Sequence, residues 1–242
     1  MTINETISEA RLEKSQVISL ITKLYENNPH DHYWRELLDL SKNDDFFEPC
    51  MLQYWIGKKY QPRKILEIGT RTGGSLISLL YSYSSFEQTK IYAFDLWKEN
   101  LQATFFNKIP VIRLLIKNLP LNNTLALRIV KKNLRLFSIP VNIIRFISGD
   151  SKKMVPAFFE KNPELKFDYI LVDGAHDAET AYIDLENVAD HLAPNGFLVF
   201  DDISPLSYNL LPVWEKFKRN HTGEFDFFES MHRKGVAWAI KG

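Results

Sequence analysis

Apolar residues along this chain fall into two alternating rhythms. Short unbroken runs read as strands covered on both faces: KILEIG from Lys64, KIYAFD from Lys90, NIIRFISGD from Asn142, FDYILVDG from Phe167 and GFLVFDD from Gly196. Between them the spacing turns helical. Leu76, Ile77, Leu80 and Tyr83 share one face, and so do Ala178, Ala181, Tyr182, Leu185, Val188, Ala189 and Leu192. Asn122–Phe137 and Leu211–Arg219 read as further helices, APNG (193–196) as a turn, and EFDFFES and GVAWAIK as two closing strands. Before Pro62 only the helical rhythm occurs. Val17, Ile18, Ile21, Leu24 and Tyr25 line one face, a polar stretch from Asn27 to His32 interrupts it, and two short helical patterns follow.

Strands alternating with helices predict a doubly wound α/β domain, with a seven-stranded, mostly parallel sheet over residues 62–242 and a helical extension over 1–61 that is expected to act as a lid over the carboxyl edge. In such sheets ligands bind at the carboxyl ends of the strands. Glu67, Asp95, Asp150, Asp173, Asp201 and Asp202 all stand at those ends. A solvated strand end often carries one aspartate by chance, but five successive strands ending in carboxylates argue for a lined site. The chain between Asp95 and Asp150 is longer than one crossover needs, which leaves residues 97–121 as an insertion. It reads as an extra packed helix, with a lid over the substrate or a subunit interface in a homo-oligomer as the alternatives.

Composition narrows the partners. Lys+Arg and Asp+Glu number 30 each, so no basic footprint suggests nucleic acid or an anionic membrane surface. The single cysteine, Cys50, sits in an apolar stretch and reads as a buried structural thiol of a reducing compartment. The polar start MTINETISEARLEKS does not read as a signal peptide, and no apolar run approaches the ~20 residues of a membrane span. A cytoplasmic protein is the expectation.

The chemistry begins at EIGTRTGGS, residues 67–75, which joins the first strand to its helix. Gly69 permits a tight turn, and Gly73 and Gly74 open the helix without a Cβ to obstruct a ligand at its N–H groups. Arg71 stands where a dinucleotide fingerprint requires its second glycine, and the Gly-Lys-Ser/Thr ending of a phosphate-binding loop is absent. E-I-G-x-x-x-G-x-S after a strand resembles motif I of class I S-adenosylmethionine-dependent methyltransferases, in the form used by the catechol O-methyltransferase branch. FDLW (94–97) resembles the second-strand acidic motif of that family, and SGDS (148–151) the adenine-contacting motif. DYILVDGAH, a helix, and then PNGFLVFDD resemble the metal-dependent group with macrolide-sugar O-methyltransferases and cephalosporin-hydroxylase-like proteins.

The resemblance spans roughly residues 62–240 and implies a Rossmann-like methyltransferase fold that binds S-adenosylmethionine. Position by position, it implies that Glu67, Gly69, Thr70, Gly73 and Ser75 form the loop under the methionyl end. Asp95 would then accept the ribose hydroxyls, and Asp150 with Ser151 would meet the adenine. Asp173, Asp201 and Asp202 would hold Mg²⁺, since carboxylates on neighbouring strand ends lie about 4.8 Å apart and offer all-oxygen ligation. His176, three residues after Asp173, would take the proton of the acceptor hydroxyl. On the residues alone, the aspartates read equally as helix caps or solvated loop groups, and His176 as a capping histidine. His191 and His221 read as surface residues. The function implied is methyl transfer to a hydroxyl of a small molecule with Mg²⁺ assistance. A metal-free or nitrogen-directed enzyme, or a non-methylating protein of the same fold, is the alternative.

Overall fold

The computed structural model describes residues 2–29, 32–43, 46–97 and 121–242. Four helices come first, α1 (Ile3–Leu12), α2 (Lys14–Asn27), α3 (His32–Leu40) and α4 (Pro49–Tyr60). The alternating part follows: β1 (Lys64–Ile68), α5 (Gly74–Leu80), β2 (Lys90–Asp95), α6 (Leu121–Leu136), β3 (Ile144–Ser148), α7 (Ser151–Glu160), β4 (Phe167–Val172), α8 (Ala178–Ala189), β5 (Leu192–Asp201), α9 (Leu211–Asn220), β6 (Phe225–Ser230) and β7 (Val236–Lys241). The sheet runs β3-β2-β1-β4-β5-β7-β6, parallel except for β7, which is antiparallel to both its neighbours. The chain winds outward from β1 in one direction and from β4 in the other. The β1/β4 junction is therefore the switch point where a crevice opens.

Each unbroken apolar run reaches both faces of the sheet. Ile65, Tyr169, Leu171, Phe197, Val199 and Trp238 share one core with α1, α2, α4, α5 and α6. Leu66, Ile170, Val172, Leu198 and Phe200 share the other with α7, α8 and α9. The helices before Pro62 thus form part of one covering layer. In α4 every residue from Pro49 to Gly57 is buried, so its pattern is apolar all round rather than one-faced. A Cβ on Gly57 would stand 1.7 Å from the Leu79 carbonyl oxygen of α5, so glycine is what lets these two helices touch.

Three local expectations shift. The APNG turn lies inside β5, whose pairing with β4 jumps from Phe167↔Leu192 to Tyr169↔Phe197 around Asn195 at φ 61°. Leu192 accordingly opens that strand and is not the last turn of α8. His191 and His221 are not plain surface groups. The His191 ring stacks on Phe159 at 3.4 Å, with Nδ1 3.0 Å from the Leu165 carbonyl oxygen, and His221 is wedged between Phe217 and Phe225. Trp97, the first residue of the expected insertion, is fully buried against Phe146. Residues 98–120, with the lid and interface readings, lie outside the described residues. Among the described residues no helix is long and apolar enough to cross a membrane.

Candidate active site

At the carboxyl edge of the sheet, a cavity of about 1050 Å³ lies across the β1/β4 switch point. The β1–α5 loop forms its floor. Gly69 sits at φ 93°, and a Cβ there would stand 2.0 Å from the Asp173 carbonyl oxygen. The first loop and the loop after β4 therefore touch backbone to backbone, which only glycine allows. Gly73 caps α5 at φ 83°, Thr70 belongs to the same loop, and Ser75 lies in the first turn of α5. Beside Gly74 the open space is filled by the Trp34 indole from α3, 2.2 Å from where a Cβ would lie.

Under this loop Glu67 is buried, and neither of its oxygens has a hydrogen-bond partner. Burial pushes its carboxyl up to about 8. The neighbouring Thr70 and Ser75 hydroxyls pull the other way without making a bond of ordinary geometry. Next to it, Asp95 at the end of β2 accepts from the Arg71 N–H at 2.7 Å and from the Trp97 N–H at 2.5 Å. Asp150 caps α7 by accepting from the Lys152 N–H at 3.1 Å, and the Ser151 hydroxyl donates to buried Asp184 at 2.9 Å. Both Asp150 and Ser151 line the cavity.

The opposite half belongs to β4, β5 and the β6–β7 hairpin. Donor atoms of Asp173, His176 and Asp202 lie within 4.8 Å of one another. Asp201 is buried and turns one oxygen onto the Asp202 N–H at 2.8 Å. Asp202, at φ 62°, takes donors on both oxygens. Oδ1 accepts from the Ser207 hydroxyl at 2.6 Å and the Lys234 ammonium at 3.0 Å, and Oδ2 lies 3.2 Å from His176 Nε2. Burial opposes ionisation of Asp202, but His176, Lys234 and Ser207 outweigh it and hold the carboxyl down at about 2. Asp173 is pushed well up by burial and by the charges of Asp201 and Asp202, and burial lifts Asp201 to about 7. Across from β5, Tyr208 stacks on the His176 ring at 3.7 Å.

Helices α3 and α4 close this half, contributing Tyr33, Trp34, Glu36, Cys50 and Gln53 to the lining. They are tied to the hairpin through Arg233, whose guanidinium reaches Glu48 at 2.7 Å and Glu36 at 2.9 Å. His232 Nδ1 adds a contact of 2.9 Å with the Phe47 carbonyl oxygen. The Cys50 thiol is buried and pushed far up by that burial, which makes it a structural group and not a nucleophile.

A profile of the methyltransferase-domain family matches residues 66–203, more than half of the chain. This chain belongs to that family. Solved structures agree on the fold of the methyltransferase. An O-methyltransferase from Bacillus cereus, in complex with SAH, is 14% identical with a TM-score of 0.56, and the match covers 80% of each chain. The SAH-bound Podospora anserina methyltransferase PaMTH1 is also 14% identical, with a TM-score of 0.53, covering 80% of this chain and 77% of that one. The O-methyltransferase TomG from Streptomyces achromogenes, which is involved in tomaymycin synthesis and was solved with SAM, is 14% identical with a TM-score of 0.52, covering 78% of each chain. No curated protein matches.

The methyltransferase reading of the sequence and its doubly wound sheet are thus borne out. Glu67, Gly69, Thr70, Gly73, Ser75, Asp95, Asp150 and Ser151 gather at one half of the cavity or directly beneath it. Asp173, His176, Asp201 and Asp202 gather at the other. Sequence reading missed Lys234, Arg233, Tyr208 and the aromatic pair Tyr33 and Trp34. The RKG turn at 233–235 resembles any polar hairpin tip, and nothing local shows that it faces β5.

Proposed function

We propose that this methyltransferase moves the methyl group of S-adenosylmethionine to a hydroxyl of a small molecule. The observation that carries this is one continuous cavity. It joins a glycine turn with two backbone-anchored aspartates, Asp95 and Asp150, to a cluster of acids with the exposed His176 across the switch point. The cofactor side fits an adenosyl ligand. Asp95 is pre-oriented by two N–H groups toward a diol, and Glu67 is an orphaned carboxyl beneath the loop, which a cationic centre bound above it would draw toward its ionised form. S-adenosylmethionine, when bound, supplies an electrophilic methyl on a sulfonium. The structural neighbours that carry SAH or SAM are described as methyltransferases, which supports this assignment.

On the acceptor side we read His176 as the base. Its Nε2 lies against Asp202, which fixes the ring and favours the tautomer with the proton on Nε2. Nδ1 is then the nitrogen that takes the acceptor proton, and Tyr208 holds the ring plane. The N-terminal helices α3 and α4 serve as the roof that keeps water from the acceptor end.

Magnesium assistance is the second reading, favoured by the convergence of Asp173, His176 and Asp202 within 4.8 Å. The set fits a divalent ion in donor number and reach. Asp173 and Asp202 would hold it, with Asp201 adding charge behind, and it would lower the pKa of the acceptor hydroxyl.

Calorimetry with S-adenosylmethionine and with NAD, followed by a screen of hydroxylated small molecules for the mass of one added methyl group, tests the reading. Binding of the adenosyl ligand at micromolar affinity and methylation of a hydroxyl are expected. NAD binding, or folded protein that takes up no adenosyl ligand, ends the proposal. Turnover undiminished in excess EDTA removes the magnesium reading alone.

A further inference from the structure

Two consecutive cationic side chains, Arg233 and Lys234, leave the β6–β7 hairpin into two separate groups of carboxylates. Arg233 serves Glu48 and Glu36 on the N-terminal side. Lys234 serves the strand-end cluster, and its surroundings make it more than a passing surface ion pair. Its carbonyl oxygen accepts from the Ser204 N–H at 2.8 Å, and the Gly235 carbonyl oxygen accepts from the Ile203 N–H at 3.3 Å. Gly235 itself, at φ 73°, lies so close that a Cβ would stand 2.7 Å from the Ser204 nitrogen. The stem of Lys234 therefore starts from backbone fixed against the exit of β5. Its ammonium reaches Asp202 Oδ1 at 3.0 Å, and the charges of Asp201, Asp173 and Asp202 all hold it protonated against burial.

We propose that Lys234 is the resident cation of this cluster, occupying the place among Asp173, Asp201 and Asp202 that a divalent ion would take, so that ammonium and metal compete for the same carboxylates. Asp202 already meets Ser207 and Lys234 on Oδ1 and His176 on Oδ2. An ion entering the cluster must take one of those positions, and the ammonium is the donor it repels. Like charges at contact distance repel, so tight metal binding requires that Lys234 swing out. In its present place the ammonium also lies 5.5 Å from the centre of the Tyr33 ring, a contact a displaced side chain would keep or exchange for water. The inference concerns the cluster alone and holds whichever acceptor the enzyme methylates.

Metal affinity, not activity, is the direct test. Full-length protein is stripped with EDTA, desalted and titrated with Mn²⁺ by electron paramagnetic resonance, as wild type and as Lys234→Met and Lys234→Gln. The wild type is expected to bind Mn²⁺ no tighter than millimolar. Each neutral variant that folds should bind at least tenfold more tightly, and Mg²⁺ should raise its melting temperature while leaving that of the wild type unchanged. Equal or weaker Mn²⁺ binding in a folded variant overturns the proposal. Micromolar binding by the wild type overturns it too, even if neither variant folds. Because no arm uses S-adenosylmethionine, these outcomes stay separate from the fate of the methyl-transfer reading.

Discussion

At the β2 and β3 ends of the cavity, Asp95 and Asp150 are met by backbone N–H groups of Arg71, Trp97 and Lys152, the farthest only 24 positions away. At the β4 and β5 ends, Asp173, Asp201 and Asp202 face one another and are balanced by the side chains of His176, Ser207 and Lys234. The first half is held by loops that any chain with the same turn would form. The second exists only once a distant hairpin has docked. Backbone donors fix a carboxylate without adding a side chain that can exchange protons. Side-chain donors around crowded carboxylates leave protons and cations free to move, as acceptor chemistry requires.

Removing one member from each half should separate the two. His176→Ala should slow the chemical step by roughly 10²–10⁴-fold, the usual contribution of a general base, while S-adenosylmethionine affinity stays within about twofold. Single-turnover kinetics across pH reads this, and the deficit should shrink as alkaline pH ionises the acceptor unaided. A deficit independent of pH would make the histidine a positioning residue only.

Asp95→Ala attacks the other half and should weaken the cofactor complex by about 2–3 kcal/mol, the loss of charged hydrogen bonds, with the metal titration unchanged. Calorimetry measures it. A change below about threefold would mean that Asp95 does not hold the ribose.

A further effect is on stability. Glu67 is lifted from 4.5 to about 8 in the folded protein, so its neutral form is the one the fold favours. Its contribution is fully present below about pH 4.5 and is lost as pH rises through about 8. The stability of the wild type relative to Glu67→Gln should therefore fall across that window, by at most about 1.4 kcal/mol per pH unit, and be flat outside it. Chemical denaturation at several pH values checks this, and a difference that does not change with pH would show that Glu67 titrates normally.

What could be read from the sequence follows the same divide. The strands were visible because each apolar run is covered on both faces, and the floor of the site because Gly69 and Gly73 lie within a few residues of the acids they serve. The bulge at Asn195 was read as a turn because its residues favour one, and only the register against β4 reveals that pairing resumes beyond it. Gly57 in α4 carried no signal, since its purpose is the approach of Leu79 more than twenty positions on. Lys234 and the Arg233–Glu48 pair, 185 positions apart, depend on tertiary contact alone. Trp34 entered the site unannounced because its α3 stripe looks like ordinary core.

The place of the hairpin in the sheet sets an order of assembly. β7 lies between β5 and β6, yet it follows both of them in the chain. Until it inserts, β5 is an open edge, and the aspartates at its end sit beside Asp173 with neither Arg233 nor Lys234 to answer them. Residues 1–230 already hold β1 to β6 and every residue expected to meet the cofactor, but without the hairpin tip the acidic pocket has neither cation. The acidic half of the cavity is therefore complete only when the hairpin closes the sheet and delivers both positive charges together.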